Sequence, residues 1–206
     1  MHSKETEAAM STRRRTPPAR SRHTRLVQPP QPRRRWPWLT AVAAVLIVGA
    51  GIGIGLLTRP PAPPPGVLSF NVASHGIATG DVTYDQTPPV GGDHAPTIQN
   101  CGYYRNPVPS ANAVASMARG AVWITYKPDI NPSDVNVLRQ LAVGQTHVIV
   151  SPFPNLPANI VASAWGKQMT ADNSDDEAIA QFVRAFRLAS DAPESGPCAG
   201  GVGTPG

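Results

Sequence analysis

The order of apolar and polar residues divides the chain into three zones. Residues 1–37 contain almost no large apolar side chains, residues 38–57 are apolar, and residues 67–206 alternate short apolar runs with turn-forming residues. A Pro-rich stretch, residues 58–66, separates the second zone from the third. This pattern predicts a tail, an apolar segment and one folded domain, because about 140 residues is a usual size for a single domain.

Within the third zone, β-branched and aromatic runs predict strands, and apolar residues at i, i+3, i+4 and i+7 predict helices. The predicted strands are 66–72, 121–126, 147–151 and 160–165, the last with a helix as the alternative, and the predicted helices are 110–118 and 133–143. Ser174 and Glu177 have capping-box spacing and predict the start of a further helix. Its apolar face would consist of Ile179, Phe182, Val183 and Phe186.

This succession of strands and helices predicts one sheet with packed helices outside the membrane, in an α+β or small α/β fold. If strands 121–126 and 147–151 are parallel neighbours, the crossover through helix 133–143 is expected to be right-handed.

The apolar zone has the length of a membrane span. Residues 38–57 contain no charge and no proline, and 20 residues at about 1.5 Å each cover the roughly 30 Å of a bilayer core. Arg33, Arg34 and Arg35 precede the span, whereas only Arg59 follows closely. The positive-inside rule therefore predicts a single-pass cell-membrane protein with a cytoplasmic N-terminus and an extracytoplasmic C-terminal domain.

Two further properties of the apolar segment stay open. A cleaved signal peptide is the alternative to an uncleaved anchor, although the apolar run is longer than usual and no A-x-A site follows it. Gly51 and Gly55 form a GxxxG motif, which allows close helix pairing. The oligomeric state is not fixed by this motif, because glycines are frequent around it.

The basic charge belongs to the tail. Residues 1–35 carry ten Lys or Arg against two Glu, a net of +8, whereas residues 60–206 carry seven against eleven acidic residues, a net of −4. Residues 1–37 are therefore expected to be disordered and to attract anionic lipid at the inner leaflet. We expect no nucleic-acid partner, because no folded reader accompanies the tail.

The only two cysteines, Cys101 and Cys198, lie on the predicted outer side of the span. In an oxidising compartment they are expected to form a disulfide bond. A redox or metal-binding thiol pair is the alternative, but no CxxC spacing supports it.

Several ordered segments of residues 75–203 resemble the DUF3105 family, a bacterial membrane-anchored domain of unknown function. The segments that carry this resemblance are TPPVGGDH at 87–94, NCGYY at 100–104, NAV at 112–114, GAVWITYKPD at 120–129, VSPFP at 150–154, ASAWG at 162–166, FVRAF at 182–186 and PCAGG at 197–201. The resemblance assigns residues 67–206 to an extracytoplasmic DUF3105-like domain and implies no established activity.

The family pattern implies a metal motif that this chain has lost. Family members carry a His, two residues, a Glu and a second His after the NAV segment, an arrangement suited to a metal. Here Ala115, Ala118 and Arg119 occupy those three positions. His94 and His75 match two further family histidines and are weak metal candidates.

These substitutions give two functional hypotheses. In the first, the outer domain is a non-catalytic binding or scaffold module of the cell envelope, with no cofactor, an envelope protein as partner, and an ion pair between Asp93 and Arg119 in the vacated site. In the second, it is a metal-binding or metal-dependent envelope protein that keeps a weakened divalent-metal site at His75 and His94. We expect no catalytic activity, because no nucleophile motif or phosphate-binding loop is present.

Overall fold

A computed structural model describes residues 41–47, which are helical, and residues 61–206. Among these described residues, no helix is long and apolar enough to cross a membrane. The predicted tail, 1–37, and most of the predicted span, 38–57, lie outside the described residues, as do residues 58–60 of the linker. The membrane span, its orientation and the disorder of the tail therefore stay predictions.

The domain contains one mixed six-stranded sheet. In chain order its elements are β1 (Leu68–Ser69), β2 (Gly102–Tyr103), α1 (Ser110–Ala118), β3 (Val122–Tyr126), α2 (Pro132–Gln140), β4 (Val148–Pro152), β5 (Ile160–Ala164), β6 (Lys167–Ala171) and α3 (Glu177–Phe186). The strand order across the sheet is β1-β6-β5-β3-β4-β2. Strands β2, β4 and β3 are parallel, whereas β5, β6 and β1 pair in antiparallel fashion. The structure is consistent with the predicted α+β class.

The predicted strand–helix–strand unit is confirmed, since β3 and β4 are parallel neighbours joined by α2. Helix α2 begins where the sequence predicts. The Asn131 side chain accepts a hydrogen bond from the Ser133 N–H at 3.0 Å, and Pro132 occupies the first turn. The helix ends at Gln140, and the following turn reaches Gly144 in a left-handed conformation, φ +68°.

Helices pack on both faces of the sheet. Side chains alternate along β3, so neighbouring residues of this strand enter different cores. Val122 and Ile124 point into a core that includes Leu138 of α2 and Phe182 of α3. Trp123 points to the opposite face, in a second core that contains Val114 and Met117 of α1 together with Ile149 of β4. Helix α1 therefore lies on one face of the sheet, and α2 and α3 lie on the other.

The C-terminal half differs from the sequence prediction in two respects. Strand β6 was not predicted, although it forms a hairpin with β5 through Trp165 and Gly166, where Gly166 has φ +65°. The capping-box prediction was wrong: Asp176 caps α3 by accepting from the Ala178 N–H at 2.9 Å. The Ser174 hydroxyl donates instead to Asp134, at 2.5 Å. The Asp134 carboxylate thus binds the Ser174 hydroxyl that was predicted to cap α3.

The described part of the Pro-rich linker contacts the domain. Pro64 is buried, and the Ala62 carbonyl accepts a hydrogen bond from the Gln181 side chain of α3 at 3.3 Å. Residues 61–66 of this linker contain no helix or strand. Their contact with α3 was not predicted.

Candidate functional site

The three positions at which the family resemblance implies metal ligands lie in the second half of α1 and directly after it. Ala115 and Ala118 are 2% and 0% exposed, and Arg119 directly follows the helix. Small side chains suit positions 115 and 118 because the same helix packs Val114 and Met117 into the core beneath it. Two of the three positions are therefore part of the packed interior of the domain.

His94 lies beside this helix end and is 1% exposed. Its backbone is fixed by two hydrogen bonds, from its N–H to the Gly76 carbonyl at 2.9 Å and from the Ala78 N–H to its carbonyl at 2.8 Å. Its ring makes an edge contact with Trp165, with centroids 6.2 Å apart. A buried imidazole held in this way has one fixed direction for each ring nitrogen.

Glu194 occupies the space between His94 and Arg119. One carboxylate oxygen lies 3.3 Å from His94 Nε2, and the other lies 3.5 Å from Arg119 Nε. The Glu194 N–H donates to the carbonyl of Ala118 at 2.8 Å, which anchors this carboxylate to the end of α1. We call His94, Glu194 and Arg119 the vacated-site cluster.

The contacts of His94 leave no free ring nitrogen. Nδ1 lies 3.0 Å from the carbonyl oxygen of Gly92, so Nδ1 carries a hydrogen and donates it. The remaining nitrogen, Nε2, faces the Glu194 carboxylate and donates to it only when the ring is doubly protonated. The nitrogen that a metal would need is therefore directed at a carboxylate that also pairs with a fixed cation.

The ion pair predicted between Asp93 and Arg119 is not present in the structure. Among the described residues, the carboxylate that pairs with Arg119 belongs to Glu194. Asp93 accepts hydrogen bonds from the Ser74 hydroxyl and from the Gly76 N–H, the latter at 2.8 Å. These two bonds hold the pKa of the Asp93 carboxyl below its usual value. Asp93 therefore fixes the loop before it and leaves Arg119 to another partner.

Tyr84 contacts the backbone of Asp93. Its hydroxyl donates to the Asp93 backbone carbonyl at 2.9 Å. Burial, followed by the nearby Asp93 charge, raises the pKa of Tyr84 to about 12. The phenol thus stays a hydrogen-bond donor throughout the physiological pH range.

His75, the other candidate, and His147 do not join His94 in a common site. His75 is exposed and lies near Asp93. His147 directly precedes β4 in a left-handed conformation, φ +59°, and its Nε2 lies 3.0 Å from the Gly196 carbonyl. Nδ1 of His147 is buried without a hydrogen-bond partner. Within residues 41–47 and 61–206, no group of three or more His, Cys, Asp or Glu side chains is placed to hold a metal ion.

A C-terminal strap, residues 197–206, holds the segment that carries Glu194 against the domain. Cys198 is joined to Cys101 by a disulfide bond, as the sequence predicts, with the two Cα atoms 5.4 Å apart. The strap also pairs with the chain before β2, since the Val202 N–H donates to the Ile98 carbonyl and the Asn100 N–H donates to the Val202 carbonyl, both at 2.9 Å. Covalent and backbone bonds together therefore place Glu194 over α1.

Sequence reasoning did not identify Glu194. It follows α3 in a Gly- and Pro-rich tail and lies 100 residues from His94 along the chain. The one signal that pointed to it was the predicted disulfide bond, which brings the tail to the front of the domain only four residues after Glu194.

The comparison with family models decides the assignment. The model described as "Protein of unknown function (DUF3105)" matches residues 75–200, which is more than half of the chain. The chain belongs to the DUF3105 family. The matched range contains the whole vacated-site cluster and both cysteines of the disulfide bond.

Neither the comparison with curated proteins nor the comparison with solved structures gives a match. The DUF3105 assignment brings no activity with it.

Proposed function

We propose that this DUF3105 domain is a non-catalytic binding or scaffold module of the cell envelope, anchored in the membrane by residues 38–57. The observation that carries the proposal is the vacated-site cluster. The positions at which the family pattern implies metal ligands are two buried alanines and an arginine that is paired with Glu194. The domain has a packed core and a disulfide bond, but these three positions carry no side chain that commonly ligates a metal.

The electrostatics of the cluster support this proposal. A divalent cation at His94 Nε2 would have to displace Glu194 from Arg119 and would then lie near an uncompensated guanidinium. A charge of +2 and a charge of +1 about 5 Å apart repel by roughly 7 kcal/mol at an effective dielectric constant of about 20. Glu194 instead lies close to both neighbours, 3.3 Å from His94 Nε2 and 3.5 Å from Arg119 Nε. The cluster is therefore better suited to holding the tail than to holding a metal.

The location of the module is proposed from the sequence. An apolar 20-residue segment after three arginines supports a single-pass anchor with the domain outside, and the disulfide bond suits an oxidising compartment. An envelope protein as partner, and anionic lipid near the basic tail, belong to the same proposal.

Metal retention tests the non-catalytic reading against the metal-binding alternative. The full chain is purified in detergent, incubated with Zn²⁺, Cu²⁺ or Mn²⁺, desalted and subjected to elemental analysis. We expect less than about 0.1 equivalents of each metal, with no change in His94→Ala. Retention of one equivalent that is lost in His94→Ala would overturn the proposal and favour the weakened site at His75 and His94.

A further inference from the structure

The carboxyl ends of the parallel strands enclose a crevice that neither the family assignment nor the vacated-site cluster uses. The chain leaves β2 toward α1 on one face of the sheet and leaves β3 toward α2 on the opposite face. Strand β4 lies between them and ends at Pro152. Because the connections after β2 and β3 diverge to opposite faces, they leave a gap at the carboxyl end of β4. Open α/β sheets bind ligands at such gaps.

The structure contains a cavity at this place. It has a volume of about 480 Å³ and is lined by residues 105–107 after β2, by residues of the β3–α2 connection and the first turns of α2, and by Pro152. We call it the carboxyl-edge crevice. Its volume lies within the range of small-molecule sites, roughly 300–1,000 Å³.

The walls of the carboxyl-edge crevice combine apolar and polar side chains in similar proportion. Pro128, Ile130 and Val135 line one side, Pro107 lines another, and the buried ring of Tyr126 lies at the end of β3. Four prolines among the lining residues give rigid walls, because their backbone φ angles are fixed. The apolar part of these walls favours a ligand with a compact apolar body.

The charge of the crevice selects the sign of the ligand. Arg105 is its only charged lining residue and is exposed. Among the described residues no carboxylate forms an ion pair with Arg105, since both ion pairs there involve Glu194. An unpaired guanidinium beside apolar walls favours an anionic group, which it binds with two parallel N–H donors.

The N-terminus of α2 does not supply this anion contact. The Ser133 N–H donates to the Asn131 side chain, and the Asp134 N–H donates to the Asn131 carbonyl at 2.9 Å. The polar side chains of the crevice are those of Arg105, Asn106, Asn136 and Tyr126.

We propose that the carboxyl-edge crevice binds a small organic anion with an apolar body, whose acidic group pairs with Arg105. The proposal rests on the proposed function, since it assigns a ligand class to the binding module. Its failure is distinguishable from failure of that function, because metal retention at His94 and ligand binding at Arg105 are measured at opposite ends of the parallel strands.

Nuclear magnetic resonance of the full ¹⁵N-labelled chain in detergent micelles tests the proposal. The probes are benzoate and hexanoate, each compared with its neutral amide at equal concentration and ionic strength. We expect both anions to shift the amide resonances of residues 105–106 and 129–136, with affinities at least about 10-fold higher than those of the amides, because hydrogen bonds to a charged group have that effect.

Three variants locate the site. Arg105→Gln is expected to lower the affinity for both anions by at least about 10-fold. Asn136→Trp fills the crevice from an exposed position and is expected to abolish binding. Arg184→Gln, an exposed arginine of α3 outside the crevice, is the matched control and is expected to change nothing.

Equal shifts with anions and amides, or equal losses in Arg105→Gln and Arg184→Gln, would overturn the proposal. Shifts confined to other residues would also overturn it. So would the absence of any shift with either anion at concentrations up to about 10 mM, at least about 20-fold above that of the chain.

Discussion

Replacing Gly201 by alanine is expected to detach the C-terminal strap. A Cβ atom at this position would lie 2.1 Å from the carbonyl oxygen of Ile98, and that oxygen is fixed backbone. The strap would have to move away and would lose three hydrogen bonds: Val202 N–H to Ile98, Asn100 N–H to Val202, and Gly201 N–H to the Asn100 side chain. At about 1 kcal/mol each, their loss lowers the free energy of unfolding by about 3 kcal/mol.

Thermal unfolding followed by circular dichroism measures this loss. For a domain of this size, about 3 kcal/mol corresponds to a decrease in Tm of roughly 6–12 °C. Gly80→Ala is the matched control, because Gly80 has no neighbour within 4 Å of an added Cβ and no positive φ. The entropy of the unfolded chain changes equally in both variants. A Tm for Gly201→Ala within 1 °C of that of Gly80→Ala would refute the reasoning.

Three further predictions concern Tyr84, the disulfide bond and α2. Folding raises the pKa of Tyr84 from 10.0 to about 12. The protonated phenol therefore contributes fully to the free energy of unfolding below pH 10, and this contribution is lost as the pH rises through 12. The absorbance titration at 295 nm of the wild type minus that of Tyr84→Phe is expected to show this ionisation near pH 12. Replacing Cys101 and Cys198 by serine removes a cross-link of 97 residues and is expected to cost about 4–5 kcal/mol in urea unfolding. Asn131→Ala removes the N-cap of α2 and is expected to cost about 1 kcal/mol in the same assay.

Each of these predictions has a contradicting result. A difference titration centred near pH 10 would mean that Tyr84 is not buried beside Asp93. A loss below about 1 kcal/mol in the cysteine variant would mean that the cross-link does not constrain the unfolded chain as the chain-entropy model requires. Unchanged stability of Asn131→Ala would mean that water replaces the cap without loss.

The strand–helix–strand unit followed from the sequence because its signals are local. A β-branched run gives β3, an Asn-Pro pair starts α2, and Gly144 follows its last turn. Strand β6 lacks such a signal, since Lys167 and Gln168 begin it and its pairing with β5 comes from tertiary contact. The N-cap of α3 was misassigned because Asp134, 40 residues earlier in the chain, binds Ser174.

The vacated-site cluster was only half predictable. The family resemblance located Ala115, Ala118 and Arg119, and the charges suggested that a carboxylate would pair with the arginine. The sequence pointed to Asp93, its motif neighbour, whereas the structure uses Glu194. Local hydrogen bonds from Ser74 and Gly76 occupy the Asp93 carboxylate, and no sequence pattern shows such competition.

The most direct test of the account is a pair of double-mutant cycles on Arg119. The central claim is that Glu194 occupies the vacated site, so Glu194→Gln and Arg119→Gln are expected to be coupled by about 0.2–1 kcal/mol in urea unfolding, the range for exposed ion pairs. Asp93→Asn and Arg119→Gln are expected to show no coupling, because Asp93 has other partners. Zero coupling with Glu194, or a larger coupling with Asp93, would contradict the account.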